Sequence, residues 1–262
     1  MPTVTSKDGT TIAYETSGSG PAVILVDGAL CYRDFGPMRP LAALLAPRFT
    51  VFAYDRRGRG ASGDTAPFAP EREVEDIAAL IAEAGGSACM FGTSSGAVLA
   101  LDAVRQLADQ ITRLALYEPP LSINEQAVER FKEYRTHIGE LLAAGKRGDT
   151  AEAFMRLVGQ PDEAIAGMRQ APMWPMFEAV APTLAYDAAV MGDSSIPVRT
   201  ASAVTIPALV MAGGASPEFM QQAAREVADA MPHAKYQTLD GQTHVVDVEV
   251  LAPVLVEFFT HR

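Results

Sequence analysis

Five residues carry the strongest chemical signal in this chain. Gly92-Thr93-Ser94-Ser95-Gly96 matches the pattern G-x-S-x-G, between the apolar run Cys89-Met90-Phe91, read as a strand, and Ala97-Val98-Leu99-Ala100-Leu101, read as a helix. A sharp turn from strand into helix forces its central residue into a strained conformation that projects the hydroxyl above its surroundings. Small residues at 92 and 96 let neighbouring elements approach that turn. The helix starting there aims backbone N–H groups and a positive dipole end at the reacting oxygen. The chemistry this predicts is nucleophilic attack by the Ser94 hydroxyl. Ser95 is the nearest rival, but its place at the first helical position suits a backbone N–H donor better.

A serine hydroxyl is a poor nucleophile until a base takes its proton. The chain offers four histidines. His137 falls in a helix-like stretch, His233 begins a strand and His261 lies next to the C-terminus. His244 sits in the polar loop Asp240-Gly241-Gln242-Thr243-His244, between the last predicted strand and the last predicted helix. The base needs a partner to orient it. Glu118 ends the strand predicted over 113–117, just where Pro119-Pro120 breaks it. Glu218, Asp240 and Asp247 are the alternatives.

The elements that must position these residues alternate between strand and helix. Residues 10–16 follow the Asp8-Gly9 turn as the second arm of a hairpin. The apolar run 22–26 reads as a central strand buried on both faces. Further strands are predicted at 50–54, 87–93, 113–117, 206–212 and 233–239. Helices are predicted at 37–46, 71–84, 95–107, 218–230 and 248–259. In 71–84, Val74, Ile77, Ala78 and Ile81 make one buried face. This pattern predicts a mainly parallel central sheet with helices on both faces, an α/β fold. From 119 to 205 only helices are read, punctuated by Pro161, Pro172, Pro175 and Pro182. The chain is therefore expected to form a core from residues 1–118 and 206–262, with 119–205 as an inserted helical cap.

These motifs resemble the α/β-hydrolase superfamily over essentially the whole chain. Asp27-Gly28-Ala29-Leu30 stands where most members have a His-Gly pair, and Asp55-Arg56-Arg57-Gly58-Arg59-Gly60-Ala61-Ser62 resembles the family's Asp-x-x-Gly-x-Gly-x-Ser turn. The resemblance implies the order nucleophile, acid, base, which assigns the base to His244. It implies oxyanion donors from the backbone of Gly28 and Ser95, with Ala29 as a further candidate beside the substrate. Asp27 puts an anion near a site that must stabilise negative charge, so it is expected to be neutralised or turned away. Most members place the acid in a Gly-x-x-Asp-Pro loop. Here Gly213-Gly214-Ala215-Ser216-Pro217 has Ser216 at that place, read as the N-cap of the following helix with Pro217 at its first position.

Glu118 is then the best candidate acid. The arrangement resembles the zearalenone hydrolases, lactonases with a Ser-Glu-His triad, in the Asp-Gly loop, the Ser-Ser-Gly elbow and the 24-residue step from Ser94 to Glu118. Pro172-Met173-Trp174-Pro175 resembles their cap motif, which implies a substrate-lining role for Trp174. The methionines of the inserted block (Met155, Met168, Met173, Met176 and Met191) read as an adaptable apolar wall, although helix packing is the commoner use of each. What the resemblance implies is hydrolysis of a small, apolar carboxylic ester or lactone, with no cofactor and no metal. A ligand receptor with vestigial turnover, and a C–C hydrolase or lyase on the same fold, are the alternatives.

Composition sets the remaining bounds. The net charge of −11 and the short basic runs (Arg56, Arg57, Arg59) argue against nucleic acid as partner. Two cysteines, Cys31 and Cys89, cannot make a disulfide framework. The N-terminus has no cationic start followed by an apolar stretch, and no run approaches a membrane span. A cytoplasmic monomer or homodimer with no membrane contact is the default expectation.

Overall fold

The computed structural model describes residues 1–122 and 124–260; His261 lies outside the described residues. In chain order the first part forms β1 (Thr3–Thr5), β2 (Thr11–Ser17), β3 (Ala22–Val26), α1 (Met38–Leu45), β4 (Thr50–Tyr54), α2 (Pro70–Glu83), β5 (Ala88–Thr93), α3 (Ser95–Gln106) and β6 (Ile111–Tyr117). Helices α4 (Glu125–Ala143), α5 (Arg147–Leu157), α6 (Asp162–Arg169) and α7 (Trp174–Val180) follow. A 3-10 turn (Ala181–Thr183), α8 (Leu184–Val190) and α9 (Val198–Ser202) complete this block. The chain then returns to β7 (Ala208–Gly213), α10 (Glu218–Asp229), β8 (Ala234–Leu239) and α11 (Val248–Thr260).

The strands form one sheet in the order β1-β2-β4-β3-β5-β6-β7-β8. β2 runs antiparallel to β1 and β4, and every other pairing is parallel. Alternation along each strand supplies two apolar layers. Ile24, Val26, Met90, Leu114 and Leu116 face a core shared with Val74 and Ile77 of α2, Leu99 of α3 and Val227 of α10. Val23, Leu25, Phe91, Ala115 and Tyr117 face the other way, onto Leu41 of α1 and Leu255 and Phe259 of α11. This is the α/β-hydrolase architecture, a mostly parallel sheet with helices on both faces.

Two features of this frame locate the site. The strand order reverses at β3, with β4 on one side and β5 on the other, and the carboxyl ends of β3 and β5 border the crevice that such a reversal opens. Among the described residues, the block between β6 and β7 holds helices and turns but no strand of the sheet. Its apolar residues, including Phe131, Ile138, Met155, Trp174, Phe177 and Leu184, share one buried cluster with the α2 and α3 side of the sheet. The block therefore packs onto the core along a continuous apolar seam. Among the described residues no helix is long and apolar enough to cross a membrane.

One helix start differs from expectation. Pro217, not Ser216, holds the N-cap position of α10, and no side chain caps that end. Ser216 is instead buried. Its neighbourhood explains why: it lies beside Glu118, described next.

Candidate active site

β5 ends at Thr93 and α3 begins at Ser95, leaving Ser94 alone to make the turn. Its backbone has φ 54° and ψ −130°, the left-handed half of φ space that L-residues avoid. Glycines permit it. A Cβ on Gly96 would stand 2.4 Å from the carbonyl oxygens of Val26 and Asp27, and one on Gly92 would stand 2.5 Å from the Gly96 oxygen. A Cβ on Gly28 would reach within 3.0 Å of the Ser94 Cβ, so the loop after β3 closes directly on the serine. The Ser94 N–H donates to the Tyr117 carbonyl at 3.0 Å, tying the elbow to the end of β6.

Glu118 follows that strand end, fully buried, with φ 43°. One carboxylate oxygen, Oε1, accepts the Gly213 N–H at 2.8 Å; the other, Oε2, lies 2.7 Å from His244 Nδ1. Burial alone pushes this carboxyl up. The His244 ring, the adjacent Ser216 hydroxyl and the Gly213 N–H outweigh burial and hold it below its ordinary value. Glu118 is thus an anion near neutral pH, which makes Nδ1 of His244 the protonated nitrogen and leaves Nε2 as the basic one. The loop carrying His244 is held from two sides. Tyr117 Oη donates to the Thr243 carbonyl at 2.5 Å, and the Ala215 N–H donates to the Gln242 carbonyl at 2.8 Å. Among the described residues no hydrogen bond joins Ser94 Oγ to His244, a looseness common in unliganded sites. Glu218 lies at the start of α10 and Asp240 beyond the end of β8, neither in hydrogen bond with His244.

The loop after β3 corrects one expectation. The Gly28 N–H, assigned above to the oxyanion, donates to Asp27 Oδ1 at 2.8 Å. The Asp27 carboxylate folds back on its own backbone and takes the donor a His-Gly pair would leave open. The Ala29 N–H and the Ser95 N–H have no acceptor among the described residues; Ser95 adjoins the serine in sequence, and Ala29 follows Gly28 in the loop that closes on it. Asp27 itself is buried, with Oδ2 unpartnered. Burial pushes its carboxyl up to about 7 against the pull of the Gly28 N–H and of Arg59 and Arg56.

A charged cluster missed in the sequence lies beside this loop. Arg56, Arg57 and Arg59, read above as a short basic run within the Asp-x-x-Gly-x-Gly-x-Ser turn, are all buried. Arg56 makes a two-pronged pair with Glu73 (2.6 and 2.7 Å) and Arg57 one with Asp76 (2.8 and 2.6 Å). Arg59 Nη1 donates to the Gly28 carbonyl at 2.5 Å. Asp187 of α8 accepts from Arg56, Arg59 and Ser95 Oγ, each at 2.7 Å. The signal was present as an acid at helix positions 73 and 76, beside the apolar stripe of α2, but its partners are distant in sequence.

Trp174 is buried at the start of α7. Its ring centroid is 6.0 Å from that of Phe177 and lies under the Arg169 guanidinium, and Phe177 meets Phe35 edge-on at 5.2 Å. The tryptophan therefore serves cap packing first and reaches the 27–36 loop through Phe177. A solvent-open recess of about 610 Å³ bounded by Lys146, Arg147, Arg169 and Glu178 lies on the cap and includes none of the residues around Ser94. Among the described residues no group of three His, Cys, Asp or Glu side chains is arranged to hold a metal ion.

Known proteins share this fold. A family model described as the alpha/beta hydrolase family matches residues 18–254. The crystal structure of an alpha/beta hydrolase from Sphaerobacter thermophilus DSM 20745 is 52% identical, with a TM-score of 0.89 over 99% of this chain and 100% of that one. A thermophilic esterase from Thermogutta terrifontis shares the fold at 21% identity and a TM-score of 0.76, over 98% of this chain and 97% of its own. The uncharacterized hydrolase YraK of Bacillus subtilis (strain 168) is 30% identical over 167 residues, 58% of this chain; the match spans 61% of that relative's length.

Proposed function

The chain belongs to the alpha/beta hydrolase family, and we propose that it is a serine hydrolase of carboxylic esters or lactones working through an acyl-enzyme on Ser94. The observation that carries this reading is the 2.7 Å contact of His244 Nδ1 with the buried Glu118 carboxylate, on the sheet edge that presents Ser94 at a positive φ. Ser94 Oγ attacks the carbonyl carbon while His244 Nε2 takes its proton, and Glu118 stabilises the imidazolium without taking the proton itself. The tetrahedral oxyanion lies against the N–H groups of Ser95 and Ala29, reinforced by the N-terminal end of α3. Collapse expels the alkoxide, which leaves with the proton from His244. Water then attacks the acyl-serine, giving one proton to His244, which passes it to the departing Ser94 Oγ as the acid is released. In a lactone the alcohol and acid remain one molecule.

The esterase from Thermogutta terrifontis supports the ester side of this reading by fold alone. The apolar residues that join the inserted helices to the core, among them Phe177 packed on Phe35 of the loop after β3, suit an apolar substrate. The test is a panel of aryl esters, small lactones and macrolactones scored by kcat/KM, run on the wild type and on Ser94→Ala. Turnover is expected with at least one class and to fall by about 10⁶ in the variant. Unchanged turnover in Ser94→Ala overturns the proposal. A single stoichiometric burst without turnover in the wild type points instead to a receptor.

A further inference from the structure

Asp187 is far from Ser94 in sequence and lies in the cap, yet its carboxylate is buried against the core. Oδ1 accepts the Ser95 hydroxyl and Arg56 Nη1, both at 2.7 Å, and Oδ2 accepts Arg59 Nη2 at 2.7 Å. The same two arginines hold the other wall of the site. Arg59 Nη1 donates to the carbonyls of Gly28 (2.5 Å) and Cys31 (3.2 Å), and Arg56 Nη1 to that of Asp27 (3.2 Å). One cap carboxylate thus sits at the junction of Ser95 and the 27–31 loop, the two segments whose N–H groups flank the serine.

We infer that Asp187 is a positioning residue: it latches α8 onto the core and, through Ser95, Arg56 and Arg59, sets the spacing of the oxyanion donors. This rests on the Ser94 hydrolase reading above. The chemistry of the latch supports it. Glu73 and Asp187 together balance Arg56 and Arg59, so loss of Asp187 leaves a buried guanidinium without its partner. Both arginines also have carbonyl partners in the 27–31 loop, and a shift in either moves that loop. Donors aimed at an oxyanion contribute only within about 0.5 Å of their working places. A cap held by this carboxylate is therefore seated in register with the site beneath it. Thr183, which accepts from Arg59 Nε at 3.1 Å, adds a second cap contact to the same cluster.

The test compares wild type, Asp187→Asn and Ser95→Ala with an aryl ester, a boronic acid that forms a tetrahedral adduct, and hydrogen exchange. Asp187→Asn keeps the shape and drops the charge; Ser95→Ala keeps the backbone N–H and drops one arm of the latch. Expected for Asp187→Asn is a fall in kcat of about 10- to 100-fold, part of the loss that follows removal of a whole oxyanion donor. KM stays within about twofold, because ground-state contacts are kept. Boronate affinity should fall with kcat/KM, and exchange in the 27–36 segment should quicken. Ser95→Ala should show the same signs, smaller, at an unchanged melting temperature.

The latch is overturned if both folded variants keep wild-type kcat and boronate affinity, or if the loss falls on KM alone. If Asp187→Asn does not fold, Ser95→Ala decides by the same criteria. A wild type that neither hydrolyses the panel nor forms the boronate adduct counts against the hydrolase reading. Exchange in the 27–36 segment still judges the latch in that case, and unchanged exchange in Asp187→Asn overturns it.

Discussion

Burial and hydrogen bonding set Glu118 and Asp27 on opposite sides of their ordinary values. Glu118 is held down because His244, Ser216 and the Gly213 N–H together outweigh its burial. A depressed folded value means that its stabilisation is present above the unfolded value and is lost as pH falls through the folded one. Asp27 goes the other way, up to about 7 from 3.8, because burial outweighs its partners. The sign then reverses: below 3.8 both states hold the proton and nothing is lost, and stability falls as pH rises from there toward about 7. Asp27→Asn keeps an acceptor for the Gly28 N–H without the charge. Its melting temperature should therefore exceed that of the wild type at pH 8, with the gap closing toward pH 4; a gap independent of pH would contradict this placement of Asp27. Glu118→Gln should cost several orders of magnitude in kcat while Glu218→Gln costs little, read by aryl-ester kinetics. The pairing of Glu118 with His244 was legible because a strand-ending acid stood before Pro119-Pro120 and the usual acid position held Ser216. The capture of the Gly28 N–H was not legible, since it depends on which way the Asp27 side chain turns.

At the scale of elements, the strand-to-helix turns do the positioning, and glycine is required where backbones touch. A methyl on Gly96 would meet the carbonyl oxygens of Val26 and Asp27 at 2.4 Å, and neither can readily retreat, because Val26 ends a central strand and Asp27 follows it directly. Gly96→Ala should lower stability by about 1–3 kcal/mol, the usual range for overpacking, and carry activity down with it. Chemical denaturation and ester kinetics on the same sample check both. A variant of wild-type stability and rate would mean that the elbow is looser than described. The strands and main helices were legible because apolar runs and 3.6-residue periodicity reflect local burial. The Arg56-Arg57-Gly58-Arg59 loop misled for the opposite reason: its acids Glu73, Asp76 and Asp187 stand 17, 19 and 131 residues from their arginines. Only the folded chain brings them together. The N-cap at Ser216 failed likewise, because its side chain lies beside Glu118 instead of over the first turn of α10.

For the whole molecule, the inserted helices share the core's apolar cluster and its buried charge network, so cap and sheet are expected to unfold together. Stability and chemistry are separable elsewhere. Arg57 pairs with Asp76 and Asp8 on the N-terminal side, away from the serine. Arg57→Leu strands the buried Asp76 and releases the partly exposed Asp8, and should cost about 3–5 kcal/mol while leaving kcat near wild type at a temperature where the variant is folded; a kcat loss at full folding would tie this pair to the site. The fold class and the helical insertion were legible as an interruption of strand–helix alternation, whereas the seating of the cap was not, because it depends on Asp187 and on Phe177 meeting Phe35. The central claim remains that Ser94 is the acylated residue. Its most direct test is mass-spectrometric mapping of the adduct formed by an aryl phosphonate ester. One phosphonyl group on Ser94 is expected, formed in step with loss of ester turnover and absent from Ser94→Ala. Full inactivation with Ser94 unmodified, or an equal adduct on another residue of Ser94→Ala, would contradict it.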